Sequence, residues 1–110
     1  MRYRLLETRE ALEDVEGFAA YIVKNFNNID AARDFLDKYD REVERLKNFP
    51  FGYREVNFEY RGYEIRIKSF DTYNVFFTID TIENKIFILR VLKDRQDWKT
   101  IFDNQNEYHF

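Results

Sequence analysis

The chain has 110 residues, a net charge of −3, twelve Phe, eight Tyr, one Trp, three Gly, one Pro and no Cys. That length makes one domain, read as 1–110, with enough large aromatic side chains for a single core. The lack of Cys excludes a disulfide framework or a thiolate metal site, and the net acidity excludes a broadly basic nucleic-acid surface. No apolar run approaches the ~20 residues of a membrane span and no signal-peptide pattern opens the chain, so a soluble cytoplasmic protein with no membrane partner is expected.

Tyr3–Glu7 reads as a short strand. Thr8 follows as a helix N-cap, its hydroxyl suited to the free amides of the first turn. Ala11, Leu12, Val15, Phe18, Ala19, Ile22 and Phe26 then recur at three- and four-residue steps, which predicts an amphipathic helix over residues 9–26. Asn28 is a second N-cap, opening a stripe of Ala32, Phe35, Leu36, Tyr39, Val43 and Leu46. The outer face of this second helix is densely charged in both signs, with opposite charges four apart at Asp34 and Lys38 and at Asp37 and Arg41. So short a link makes the two helices an antiparallel hairpin.

Asn48–Gly52 stops the second helix at Pro50. The period then changes to two: Tyr63, Ile65 and Ile67 alternate with Glu64, Arg66 and Lys68, and after a turn at Asp71-Thr72 a second strand runs through Tyr73–Asp80. Glu83-Asn84 turns the chain into Ile86-Phe87-Ile88-Leu89-Arg90-Val91-Leu92, nearly unbroken in its apolar character. Such a run is a central strand covered on both faces. It ends in Lys93-Asp94-Arg95-Gln96-Asp97, either an ordinary solvated loop or charged groups held rigidly at the rim of a sheet. Lys99–Phe102 is a short helix, and Asp103–Phe110 is a frayed or disordered tail. The fold class is therefore α+β. A strand and a helix hairpin pack on a twisted, mainly antiparallel sheet in the order β-α-α-β-β-β, followed by a short C-terminal helix.

The candidate site is a set of cations on the sheet face away from the hairpin. Arg66 and Lys68, Asn74 and Thr78, and Arg90 are expected to converge there, with Lys93, Arg95 and Gln96 entering from the strand end. Residues 60–99 hold eight Lys/Arg against six Asp/Glu, so any such site is a local patch. Clustered cations suit a phosphate-rich ligand or an acidic peptide, and equally a sheet face kept soluble by Arg and Lys. No acidic cluster sits among these strands, so neither a metal nor another cofactor is expected. The single His, His109, lies far along in the tail.

Several segments carry a resemblance. Ala11-Leu12-Glu13-Asp14-Val15 with Tyr21-Ile22, Ala31–Leu36, the Phe49-Pro50 stop and Tyr73–Phe77 are similar to RelE/ParE toxins of type II toxin–antitoxin systems. So, most specifically, is Ile88–Trp98, and the likeness spans residues 3–102. It implies a growth-inhibiting toxin that binds a cognate antitoxin and either cleaves mRNA on the ribosome or poisons DNA gyrase. A third possibility is a degenerate toxin that only binds its antitoxin. On the first reading, metal-independent endoribonuclease chemistry by an mRNA interferase makes Arg66, Lys68, Lys93 and Arg95 the catalytic set. Asn74, Arg90 and Gln96 then bind RNA or antitoxin. Asn74 stands where ribonuclease members carry Arg, and Lys93, Asp94 and Gln96 replace the His, Gly and second Arg of the usual motif. No Tyr stands at Phe102, near which ribonuclease members place an aromatic hydroxyl.

Overall fold

The computed structural model describes residues 3–105 and 107–110. In chain order they form β1 (Arg4–Glu7), α1 (Arg9–Phe26), α2 (Ile29–Leu46), a 3-10 turn at Pro50–Gly52, β2 (Glu55–Tyr60), β3 (Tyr63–Phe70), β4 (Tyr73–Asp80), β5 (Lys85–Lys93) and α3 (Trp98–Asn104). The α+β fold is as expected, with one strand more in the meander.

Both helix starts are set by their caps. The Ala11 amide donates to Thr8 Oγ1 at 3.0 Å, and the Ala31 amide to Asn28 Oδ1 at 2.9 Å. Thr8 is also fixed from the sheet, because its hydroxyl donates to the Leu89 carbonyl at 2.9 Å. Asn27, in the left-handed region at φ 48°, ends α1 and lets α2 fold back. Lys38 does not use Asp34, the partner that helix spacing suggests. Its ammonium reaches Asp71 in the β3–β4 turn at 2.7 Å and ties the hairpin to the sheet.

The five strands lie in the order β1-β5-β4-β3-β2. β1 runs parallel to β5, and the other neighbours are antiparallel. β2 escaped the periodicity because its alternation is interrupted: the pairing with β3 shifts register between Glu55 and Glu59, and Asn57 sits at φ 63°. Arg61 and Gly62, both at positive φ, make the two-residue turn into β3.

β5 is internal only in its first half. Its pairing with β1 ends at Glu7 and Ile88, and beyond that it has β4 alone. Arg90 faces Phe76 while Ile88 faces Phe77, so Leu89 is the extra residue of a bulge. The bulge divides an apolar run between two cores. Ile86, Ile88 and Val91 join Val75, Phe77 and Ile79 under the hairpin, against Ala11, Val15, Phe35, Tyr39 and Val43. Leu89 and Leu92 join Ile65, Ile67 and Phe76 on the opposite face, beneath α3 and the tail. Phe76 and Phe77, neighbours pointing opposite ways, are both fully buried. Each contributes roughly 1.5–3 kcal/mol by leaving water.

Of the stretch 103–110, expected to fray, residues 103 and 104 close α3 and Tyr108 to Phe110 lie back on the fold. Tyr108 is only 5% exposed and packs on the second core. Among the described residues, no helix is long and apolar enough to cross a membrane.

Candidate functional site

Sheet register decides where the expected cations point. Arg66 is opposite Phe77 and Lys68 opposite Val75, and both partners face the hairpin. Arg66 and Lys68 therefore lie on the helix side, not on the face away from it. Because both sheet faces are covered, the alternation of β3 does not reveal which side meets the hairpin, and Ile65 and Ile67 mark the second core and not the first.

Once turned inward, these cations need counter-charges. Lys68, 6% exposed, places its ammonium 2.8 Å from Glu42 Oε2 on α2 and donates to Tyr53 Oη at 3.2 Å. The hydrogen bond from Lys68, against the opposing effect of burial, holds the Glu42 carboxyl below its ordinary range. Arg66 donates to the Tyr53 carbonyl at 2.7 Å and to Glu55 Oε1 at 2.9 Å, with its guanidinium over the Phe51 ring. Arg90 is forked onto Asp14 of α1, Nε to Oδ2 at 2.7 Å and Nη2 to Oδ1 at 2.8 Å, and its third nitrogen donates to Gln105. Asp14 also accepts from the Val91 amide at 3.0 Å, which caps the edge of β5 left open past β1. The fork keeps Arg90 charged more firmly than a free guanidinium.

The expected convergence on the far face is thus not formed. Of the proposed residues, Asn74 and Thr78 alternate with the helix-side residues of β4 and so share the far side with Phe76, as does Arg90 opposite it, but none of the other cations joins them. Thr78 is fully buried there. Asn74 works locally, accepting from Ser69 at 2.6 Å and donating to Asp94 at 2.9 Å. Gln96 accepts from the Lys93 amide at 2.6 Å, so it folds the loop after β5.

Lys93 and Arg95 are placed differently. They stand with Asp94 and Gln96 at one wall of an open groove of about 640 Å³, whose other wall is Glu13, Asp14, Gly17, Phe18 and Tyr21 of α1, with Tyr73 at the base. The Lys93 ammonium lies 5.9 Å from the centroid of Tyr21 and 5.7 Å from that of Tyr73, within cation–π range of both. Burial, with Asp71 nearby, pushes the Tyr73 phenol above its ordinary value, so the ring beside Lys93 is neutral. Phe18 packs edge-on against Tyr73 at 5.0 Å and gives the groove an aromatic floor. Arg95 holds a left-handed backbone at φ 76°, strained for a residue with a side chain. Among the described residues, no carboxylate pairs with either Lys93 or Arg95.

The sequence contained an overlooked signal for the pairing carboxylates. Asp14 is three residues after Ala11 and four before Phe18; Glu42 is three after Tyr39 and four before Leu46. Each interrupts an apolar stripe at a position that faces the core, where a charge needs a partner. The aromatic members of the groove, Phe18, Tyr21 and Tyr73, look in the sequence like ordinary core residues.

A strand followed by a helix hairpin and an antiparallel meander, with the first strand parallel to the last, is the architecture of RelE/ParE superfamily toxins. A chain of the RelBE2 toxin–antitoxin complex from Mycobacterium tuberculosis superimposes with a TM-score of 0.61 at 18% identity, covering 84% of this chain and 99% of that one. The model of the family described as ParE toxin of type II toxin-antitoxin system, parDE, matches residues 5–98. The chain belongs to that family and is a toxin of a type II toxin–antitoxin system. No curated protein sequence matches it.

Proposed function

We propose that this toxin arrests growth by binding its target, in the manner of a gyrase poison, and not by cutting mRNA. The observation that carries the reading is the engagement of Arg66 and Lys68 by Glu55 and Glu42 on the hairpin side of the sheet. Metal-free RNA cleavage needs cations free to meet the phosphate as charge develops, and a nearby group to take the 2′-hydroxyl proton. Lys68, sealed on Glu42, and Arg66, held by Glu55 and the Tyr53 carbonyl, supply neither. Asn74 in place of Arg, and engaged by Ser69 and Asp94, points the same way. Match to a family named for ParE adds support.

The groove is the binding element in this reading. Lys93 and Arg95 are its charged contacts, Tyr21 and Tyr73 its apolar ones, and the site of action is the cytoplasm, where gyrase and DNA are found. A cognate antitoxin would hold the toxin inactive, as family membership and the complex containing the similar chain both suggest. A second reading, ribosome-dependent mRNA cleavage, rests on one observation: Lys93 and Arg95 are open to solvent at a rim where a phosphate could lie.

Two measurements after induction separate these. Primer extension on abundant transcripts should show no new 5′ ends, and purified toxin should inhibit supercoiling by gyrase or trap its cleaved DNA. New transcript ends together with unimpaired supercoiling would establish the second reading instead. Intact transcripts, active gyrase and undisturbed growth would leave a toxin that only binds its antitoxin.

A further inference from the structure

Residues 107–110 lie on the sheet face that carries no hairpin, and their polar attachment to α1 is concentrated in His109. At the first turn of α1 the Arg9 amide donates to the His109 carbonyl at 2.7 Å, and the His109 amide donates to Glu10 Oε1 at 2.9 Å. His109 Nδ1 stands 2.6 Å from Glu10 Oε2. On one side of this clasp Tyr108 is inserted, meeting Tyr60 edge-on at 5.2 Å and Phe102 at 6.5 Å. On the other, Phe110 rests on Phe87 at 5.0 Å while staying 64% exposed.

Two features make this closure marginal. The hydroxyls of Tyr60 and Tyr108 are buried without a hydrogen-bond partner among the described residues, a desolvation penalty that opening would relieve. The clasp is also within reach of solvent, since the His109 side chain is 53% exposed and open to competition from salt and water.

We propose that residues 107–110 form a strap that opens and closes over the Tyr60–Phe102 face while the rest of the fold stays intact, with His109 and Glu10 as its clasp. Opening exposes Tyr60, Phe87 and Phe102 together, and closing hides them. Of the ionisable groups around the strap, Glu10 and Asp14 of α1, Arg90 of β5 and Tyr60 of β2 act on Tyr108, while Arg61, Tyr63, Asp80 and Glu83 line a cavity shared with Phe110. Asp14 and Arg90 neutralise each other. Burial acts to raise the Glu10 carboxyl, but its hydrogen bonds with His109 outweigh this and hold it at about 2, so it is charged at every pH where the fold is ordinarily studied. This inference is independent of which target the toxin binds.

Amide hydrogen exchange on the full chain tests it. After correction for intrinsic rates, the Arg9 and His109 amides should exchange at least about tenfold faster than those of Val75 and Phe77, through an opening that is insensitive to low denaturant. His109→Ala should raise exchange at Arg9 about tenfold more and leave Phe77 unchanged; Glu10→Gln, which keeps an acceptor but loses the charge, should raise it by about threefold. The strap is refuted if wild-type Arg9 and His109 exchange only with global unfolding. It is equally refuted if Glu10→Gln, correctly folded by circular dichroism, leaves their exchange unaltered or accelerates every amide alike.

Discussion

Lys68 and Lys93 stand on adjacent regions of one sheet, and the molecule treats them in opposite ways. Lys68 is sealed between strand and helix on Glu42, while Lys93 leans on two aromatic rings at the mouth of a groove. The same contrast separates Arg90, forked onto Asp14, from Arg95 at the loop tip. A cation that meets a carboxylate inside the fold holds elements together, and removing its partner leaves an isolated charge in a poorly solvated place. One that meets only rings and water stays available to an outside anion. Lys68 and Arg90 thus contribute to architecture, while the proposed function assigns Lys93 and Arg95 to recognition.

The sharpest break in that contrast should come at the sealed pair. Glu42→Ala leaves Lys68 buried without its partner, and chemical denaturation should show a loss of about 3–5 kcal/mol. Replacing both, Glu42→Leu with Lys68→Met, should recover most of this, because two apolar groups leave no charge to desolvate. Asp14→Ala removes three hydrogen bonds to a carboxylate, two of them from the Arg90 guanidinium, and should lose about 1.5–3 kcal/mol by the same measurement.

Acid should attack the carboxylate side. Glu10 and Glu42 both have folded-state values below the ordinary 4.5, Glu10 at about 2. A depressed carboxyl contributes stability that is complete above its unfolded value and disappears as pH falls through the folded one. Thermal midpoints should therefore fall progressively between about pH 4.5 and pH 2, and Glu10→Gln should reduce the slope in that window.

The groove cations should show the smallest stability effects. Lys93→Ala and Arg95→Ala should each stay within about 0.5 kcal/mol of the parent. Arg95→Gly should be more stable by about 1 kcal/mol, since glycine takes the left-handed backbone without strain, yet it loses the same contact to a partner.

Local structure was legible in the sequence where a single residue decides it. The caps at Thr8 and Asn28, the stop at Pro50 and the turns at Asp71 and Asn84 all act through one side chain or one backbone angle, and each stands where it was expected. Facing was not legible. An alternating strand reveals its buried side only when the other side is wet, and here α3 and Tyr108 cover the second face as well. The bulge at Leu89 then shifts the phase of β5 partway along, so no fixed period could tell where Arg90 points. β2 is illegible for the same reason, its phase broken at Asn57. The groove brings α1 against a loop about eighty residues away, a pairing that only the closed fold reveals.

The most direct test is growth arrest by two variants expressed to equal level and checked for folding. Lys93→Ala combined with Arg95→Ala should abolish arrest, whereas Arg66→Ala, which removes the Glu55 pair and the contacts to the Tyr53 carbonyl and the Phe51 ring but nothing in the groove, should leave arrest at parental strength. A folded Arg66→Ala that no longer stops growth, beside a groove variant as toxic as the parent, would contradict this account.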